Sequence, residues 1–211
     1  RQQILTIADY IDKRLESYRE SCRGSLNMVD FKSRFLMERD LQESVFYFVF
    51  SMFRVRKLVV ETNLKHTQNV FGSLLQANII FDLCLVIETI LKNKIPRTPK
   101  KKYTMFYLLE KLSAKSSLSL NEDKLMQINV SFKDNFSATL QSLLESRYEF
   151  RDSTAPQQIE MDLAIAYGFR NFGAHKIEHQ SIIYNNFEEI SQRIINTLFF
   201  SVEKLYLDPH D

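Results

Sequence analysis

The scarcity of turn-forming residues is the feature that most restricts how this chain can fold. Its 211 residues include only four glycines and four prolines. A β-sandwich or barrel needs a turn about every 8–12 residues, and a doubly wound α/β fold needs glycine at its phosphate-binding turns. No segment alternates apolar and polar residues over a long run, as a half-buried strand would. The sequence therefore predicts an all-α fold with long helices and few loops.

Apolar residues at helical spacing predict the positions of seven helices. Their approximate ranges are 2–22, 30–62, 66–93, 104–114, 121–149, 156–171 and 185–207. The first and last carry the clearest apolar stripes, from Ile4 to Tyr18 and from Phe187 to Leu205. Residues typical of helix ends support these limits. They are Gly24 after the first helix, a capping box at Ser119–Glu122, Thr154 or Ala155 as a cap before Pro156, and Gly173 at the end of the sixth.

The segment 45–53 is apolar on every side of its predicted helix. A helix of this kind is usually buried on several sides, and that interpretation is preferred over a helix in a subunit interface. The segment is much shorter than the roughly 20 residues that span a bilayer. No signal peptide is visible, and Cys22 and Cys84 lie far apart with no CxxC pair. We therefore expect a soluble, cytoplasmic protein with reduced cysteines and no membrane contact.

The net charge of +2 does not by itself indicate a broad nucleic-acid-binding face. Positive charge is concentrated in the segment 92–102, which holds six basic residues, two prolines and no acid. Its last three lysines, Lys100, Lys101 and Lys102, are candidates for binding RNA phosphates. A simply solvated loop is an equally good interpretation of this segment.

The sequence contains no phosphate-binding loop, no dinucleotide fingerprint, no HExxH and no GxSxG motif. His175 and His179 have the spacing of two zinc ligands on one helix face, but Gly173 argues against a helix there, and no metal or cofactor is expected. Arg170, Asn171 and His175 are the most informative group. Arginine binds phosphate oxygens and keeps its charge, and histidine can transfer protons near neutral pH.

These three residues suit a metal-free attack of a ribose 2′-hydroxyl on the neighbouring phosphate. His175 would transfer the protons, Arg170 would stabilise the charge that builds on the phosphorane, and Asn171 would orient the reacting groups. The alternative is that Arg170 and His175 are only favourable cations at a helix C-terminus.

The segment Arg170-Asn171-x-x-x-His175 resembles the R-N-x-x-x-H form of the Rx4–6H motif of the HEPN superfamily (higher eukaryotes and prokaryotes nucleotide-binding). The segments 83–92 and 107–112 are similar to further helices of that all-helical family. The resemblance covers roughly 70–207. It predicts a HEPN-like helical bundle over 70–211 and an N-terminal helical extension over 1–69.

The resemblance implies a metal-independent endoribonuclease without a cofactor, working as a homodimer whose two Arg170–His175 faces form one composite site. It also implies RNA as substrate, a 2′,3′-cyclic phosphate product, a role in a defence or toxin system, and an antitoxin or a sensor domain as a further partner. Ile177 stands where toxins paired with nucleotidyltransferase antitoxins carry tyrosine, so control by modification of that tyrosine is in doubt. Asp82, Glu88 and His179 are candidate supporting residues. The alternative function is a non-catalytic nucleotide-binding or dimerisation module of a larger regulatory protein.

Overall fold

The computed structural model describes residues 2–61, 70–99, 102–173 and 180–207. Every regular element in these ranges is helical, so the predicted all-α fold is confirmed. The α-helices of the described residues are α1 Gln2–Cys22, α2 Met28–Phe31, α3 Gln42–Arg56, α4 Val70–Lys94, α5 Met105–Lys115, α6 Glu122–Asp134, α7 Phe136–Leu144, α8 Gln158–Gly168, α9 Gln180–Asn185 and α10 Phe187–Tyr206. Three π-helical turns, Lys32–Leu36, Lys57–Glu61 and Phe169–Gly173, extend α2, α3 and α8.

Helix α10 lies at the centre of the fold and packs against α4 and α8. Its predicted stripe, including Ile190, Ile194 and Leu198, is fully buried, and so are Thr197 and Ser201 on other sides of the helix. Helix α1 packs on α10, and α3 packs on α4. Helices α2, α5 and α9 also contact α10, whereas α6 and α7 pack on α8.

The N-terminal helices share this core. The rings of Tyr18 and Phe31 lie 5.8 Å and 5.1 Å from the ring of Phe199 on α10. The Glu203 carboxylate on the same helix accepts hydrogen bonds from the backbone N–H groups of Ser25 and Leu26 at 2.8 Å and 2.9 Å. Burial alone would raise the pKa of Glu203, but hydrogen bonds from Lys204 and these backbone groups outweigh it and lower the pKa. The predicted boundary between an extension and a HEPN-like domain lies among residues 62–69, outside the described ranges, and stays a prediction.

At the end of α1, the residue that reverses the chain is not the predicted one. Arg23, and not Gly24, has a left-handed backbone, with φ of 56°. Gly24 is required for another reason, because a Cβ atom there would lie 2.1 Å from a carbon of the Tyr18 ring. The glycine therefore permits a close approach of the chain to α1, and does not itself reverse the backbone.

Two of the predicted long helices are broken. The helix predicted over 30–62 is interrupted between the π turn Lys32–Leu36 and α3, where Glu38 has an extended backbone. The helix predicted over 121–149 is broken at Asn135, which has φ of −152° and ψ of 94°. The Asn135 side chain accepts a hydrogen bond from the Ala138 N–H and so caps α7. Asparagine favours such breaks because its side chain competes with the backbone for hydrogen bonds.

Two predicted helix starts were wrong by about two residues. Asn121, and not Ser119, caps α6 by accepting a hydrogen bond from the Lys124 N–H. Helix α8 begins at Gln158, after a capping box formed by Gln157 and Glu160, and not at Pro156. The second carboxylate oxygen of Glu160 accepts a hydrogen bond from the Ser119 N–H at 2.6 Å. The contact between the two segments therefore determines these helix starts, and no local pattern shows it.

Helix α3 is buried on one side only, so the preferred interpretation of the segment 45–53 was wrong. Phe48, Met52 and Val55 are buried, whereas Phe46 is 67% exposed and Phe50 is 50% exposed. The uniform apolar composition concealed this difference, because aromatic side chains occupy both faces of the helix.

By length and composition, residues 74–94 of α4 could span a membrane. This is weak evidence, since core helices of soluble proteins pass the same test and 56% of the most apolar stretch is buried within the bundle. The cellular location stays a prediction.

Candidate functional site

Arg170 lies on the π turn Phe169–Gly173, which an aromatic cluster holds in place. The ring of Phe169 meets that of Phe136 edge-on at 5.3 Å, and the ring of Phe172 stacks on that of Phe132 at 6.3 Å. A Cβ atom at Gly168 would lie 2.3 Å from the Phe132 ring, so only glycine allows this approach. These ring contacts therefore hold the turn in a fixed position. Its π geometry is not diagnostic of a site, although π turns are enriched at functional sites, because two others occur in the described residues.

Glu88 on α4 holds the Arg170 side chain. The Arg170 Nε atom donates to Oε2 of Glu88 at 2.5 Å, and Oε1 of Glu88 accepts from Nζ of Lys92 at 2.5 Å. The Arg170 guanidinium also lies 5.4 Å from the centre of the Phe81 ring, at a distance where cation–π attraction acts. Glu88 thus orients Arg170, as the sequence analysis suggested. We call Arg170, Glu88, Lys92 and Phe81 the Arg170 cluster.

The two terminal Nη nitrogens of Arg170 have no hydrogen-bond partner among the described residues. Only Nε donates to a described residue there, and the side chain is 29% exposed. The two Nη groups of a guanidinium can bind two oxygens of one phosphate. Arg170 is therefore both fixed in position and able to bind an anion.

The cluster carries a net positive charge. Burial would raise the pKa of Glu88, but the hydrogen bonds and charges of Lys92 and Arg170 outweigh it and hold the pKa below its ordinary value. The carboxylate is therefore ionised at neutral pH, and it offsets one of the two neighbouring cations. Cys84 lies close by and is fully buried, and burial raises the pKa of its thiol. Such a thiol is inert.

Asn171 does not join Arg170. Among the described residues, no hydrogen bond joins the Asn171 side chain to Arg170. Asn171 lies beside Tyr167, whose hydroxyl donates to Oδ1 of Asn129 on α6 at 2.7 Å. Burial raises the pKa of Tyr167 to about 12, so the hydroxyl keeps its proton. Asn171 is exposed in addition. Tyr167 therefore connects α8 to α6, and the role of Asn171 in orienting the reacting groups stays a prediction.

The remaining predicted residues have different outcomes. Asp82 pairs with Arg54 of α3 at 2.7 Å, and so it is not the partner of Arg170. Lys102 is an exposed loop residue. His175, His179, Lys100 and Lys101 lie outside the described residues, and their roles stay predictions. Among the described residues, no three His, Cys, Asp or Glu side chains come together as metal ligands.

Two members of the Arg170 cluster, Lys92 and Phe81, were not assigned to the site from sequence. Lys92 was counted as part of the basic segment, although its i,i+4 spacing from Glu88 was a usable signal. The Lys92 ammonium also lies 5.7 Å from the centre of the Tyr103 ring, and the Tyr103 hydroxyl donates to the Lys92 carbonyl at 2.8 Å. Nothing in the sequence pointed to Phe81, whose contact with Arg170 depends on how the π turn Phe169–Gly173 packs on α4.

Comparison with protein-family models, curated proteins and solved structures found no match. The resemblance to the HEPN superfamily therefore depends on the Arg170–His175 motif, and a functional argument has to start from the geometry around Arg170.

Proposed function

We propose that this chain is a metal-independent endoribonuclease of the HEPN type, active as a homodimer through the face that carries Arg170 and His175. The observation that carries the proposal is the fixed Arg170 guanidinium, with Nε on Glu88 and both Nη groups open among the described residues. A preorganised cation of this kind stabilises developing phosphorane charge without first having to reorient. His175 follows five residues later in the sequence.

In the proposed reaction, His175 accepts the proton of a ribose 2′-hydroxyl while the 2′-oxygen attacks the adjacent phosphorus. The Nη groups of Arg170 donate to the non-bridging oxygens, on which negative charge grows. The bond from phosphorus to the 5′-oxygen then breaks, and this oxygen takes up a proton. The products are a 2′,3′-cyclic phosphate and a 5′-hydroxyl. In a composite site, His175 of one copy accepts the first proton and the second copy's histidine supplies the other.

A polyanionic substrate suits the charge next to the Arg170 cluster. Lys92 belongs to that cluster, and no acidic residue occurs between Glu88 and Glu110. Arg97 and Lys102 are exposed in the loop that follows α4. Phosphates flanking the scissile one would meet a continuous run of positive charge there. A place in a defence or toxin system, with an antitoxin or sensor partner, has only the resemblance in its favour.

The Glu88 contact also favours a second candidate, the non-catalytic HEPN-like nucleotide-binding or dimerisation module. A part-buried pair of Glu88 and Arg170, stacked on Phe81, is a good structural tie between α8 and α4. In that case Arg170 would contribute to stability and to nothing else.

RNA cleavage in the presence of EDTA separates the two candidates. With varied single-stranded RNAs, we expect cleavage that leaves cyclic phosphate ends. Arg170→Ala should reduce the rate about 10²–10³-fold, and His175→Ala about 10²–10⁴-fold. Arg147→Ala is a matched control, because this arginine is 76% exposed at the end of α7, and its rate should equal that of the wild type. His210→Ala is the corresponding histidine control.

Folding of each variant is checked by circular dichroism and thermal unfolding. Cleavage that EDTA abolishes would contradict the metal-independent mechanism. A wild-type protein that cuts none of the RNAs, together with an Arg170→Ala variant that is less stable, would favour the non-catalytic module.

A further inference from the structure

Five residues of α3 and the π turn after it lie on one face at spacings of three, four, four and three. They are Glu43, Phe46, Phe50, Arg54 and Lys57, and we call them the α3 stripe. Residues three or four apart on a helix are surface neighbours. The planes of Phe46 and Phe50 are within 1° of parallel, with ring centres 6.3 Å apart, and the Arg54 guanidinium lies 5.4 Å from the centre of the Phe50 ring. The stripe is therefore one continuous surface.

This surface has the composition of an interface core. Phe46, Phe50 and the adjacent Tyr47 are each at least half exposed, and monomeric proteins seldom leave such a cluster uncovered. Aromatic side chains and arginine are enriched at the centres of protein interfaces, whereas lysine and glutamate are depleted there. In the stripe, the rings are central and the lysine and glutamate are at the two ends.

The order of charges along the stripe selects the partner. Glu43 lies seven residues before Phe50 and Lys57 seven after it, while Phe46 and Arg54 lie four before and four after. A two-fold contact pairs residue i with residue j and j with i. If two stripes cross antiparallel at Phe50, each Glu43 faces a Lys57, each Phe46 faces an Arg54, and the two Phe50 rings meet on the axis. We propose that a second copy of this chain docks on the α3 stripe in this antiparallel register.

RNA is a poorer occupant of this surface. Binding of a polyanion needs cations in excess of the neighbouring carboxylates. Arg54 is matched one to one by Asp82 at 2.7 Å, whereas Arg170 and Lys92 share the single carboxylate of Glu88. The stripe also begins with an acid. A copy of the chain supplies a complementary charge at each end, which no other partner is shown to do.

The stripe adjoins the Arg170 cluster, because Asp82 is the residue next to Phe81 on α4. The inference rests on the proposed ribonuclease only for the role of the dimer, since the contact uses no residue of the proposed site. A dimer that Phe50→Asp does not weaken contradicts this inference alone, whereas a Phe50-dependent dimer that cuts no RNA contradicts the proposed function alone.

Sedimentation velocity across a range of concentrations tests the contact. We expect the wild type to form a dimer, and Phe50→Asp to raise its dissociation constant at least ~30-fold, since it places two carboxylates on the axis. Met126→Asp is the matched control, because Met126 on α6 is also 50% exposed and lies outside the stripe. Its dissociation constant should equal that of the wild type.

A charge exchange tests the register. Glu43→Lys and Lys57→Glu should each weaken the dimer about threefold or more, because each places like charges together twice across the axis. The double variant should restore wild-type affinity, since the attraction is only reversed in direction. Recovery of this kind is specific to a two-fold antiparallel contact between these two positions.

A wild type that stays monomeric at high concentration overturns the inference, as does a dimer that Phe50→Asp does not weaken. A monomer whose RNA affinity falls in Phe50→Asp would assign the stripe to RNA and also overturn it. A double variant no better than the single ones would exclude the proposed register.

Discussion

The two sides of α4 next to Arg170 differ in how their charges are used. On one side, Glu88 joins Arg170 and Lys92, and the loop that follows contains exposed cations with no acid until Glu110. On the α3 side, the charges of Asp82 and Arg54 are matched one to one, and exposed rings surround them. Surplus positive charge suits a polyanion, whereas a neutral aromatic surface suits another protein.

The contrast shows why a net charge of +2 is a poor guide to partners. The total is nearly balanced because paired and unpaired charges occupy different surfaces. On the Lys92 side, exposed cations follow α4 with no acid until Glu110. The partner of each surface has to be inferred from local pairing, and the two inferences can be tested separately.

The largest expected difference between the two sides concerns their carboxylates. Glu88→Ala should lower the free energy of unfolding by about 2 kcal/mol, because it removes charged hydrogen bonds from a part-buried site. It should also reduce RNA cleavage about 10-fold or more, since Arg170 loses its orientation. Asp82→Ala removes a more exposed pair, and we expect less than about 1 kcal/mol and no change in cleavage. Urea unfolding and initial cleavage rates measure both effects.

Glu88→Gln serves as the control for a positioning role. Its amide oxygen can still accept a hydrogen bond from Arg170 Nε, so Glu88→Gln should cleave RNA faster than Glu88→Ala but more slowly than the wild type. Relative to the wild type, kcat should fall by a larger factor than KM changes. Equal effects of Glu88→Ala and Asp82→Ala on cleavage would remove the distinction between the two sides.

Sequence periodicity was enough for the fold class and for the most amphipathic helices. The limits of α1 and α10 were predicted within about two residues, because their stripes face one core and nothing in between interrupts them. The breaks before α3 and at Asn135 were missed, since an asparagine inside an apolar pattern gives only a weak signal. The helix starts that depend on the hydrogen bond between Glu160 and Ser119 could be located only from the tertiary structure.

The candidate site was predicted only in part for a similar reason. Arg170 and Glu88 were named from sequence, but the assignment of Asn171 to the same cluster assumed that consecutive residues act together. On a helical turn they point in different directions, and Asn171 lies beside Tyr167. A helix in a subunit interface was only the alternative for the segment 45–53, because hydrophobicity does not distinguish a ring in the core from a ring on the surface.

Salt dependence gives a smaller but sharper test of the charge surplus. Lys92→Ala and Lys102→Ala should each weaken RNA binding several-fold at about 0.1 M salt. Each should also reduce the slope of log affinity against log salt by about 1, the value expected for one lost phosphate contact. Arg54→Ala on the α3 side should leave that slope unchanged. Fluorescence anisotropy with a labelled RNA and the Arg170→Ala protein measures binding without cleavage.

If Arg54→Ala reduces the slope as much as Lys92→Ala does, RNA also contacts the α3 side. The separation of the two surfaces would then be wrong.

The smallest expected effect is the acid dependence of the Glu88 contact. The pKa of Glu88 in the folded protein lies below its ordinary value of 4.5. A carboxyl of this kind stabilises the fold at every pH above the ordinary value, and the contribution is lost as the pH falls through the folded pKa. The difference in unfolding free energy between wild type and Glu88→Gln should therefore be constant above about pH 5, shrink below it and vanish in stronger acid.

Thr89→Val changes an exposed, uncharged neighbour on the same helix, so its difference from wild type should not vary with pH. A Glu88→Gln difference that grows on acidification would mean that burial, and not Lys92 and Arg170, dominates this carboxyl, and Arg170 would then be less firmly held than the proposed chemistry requires.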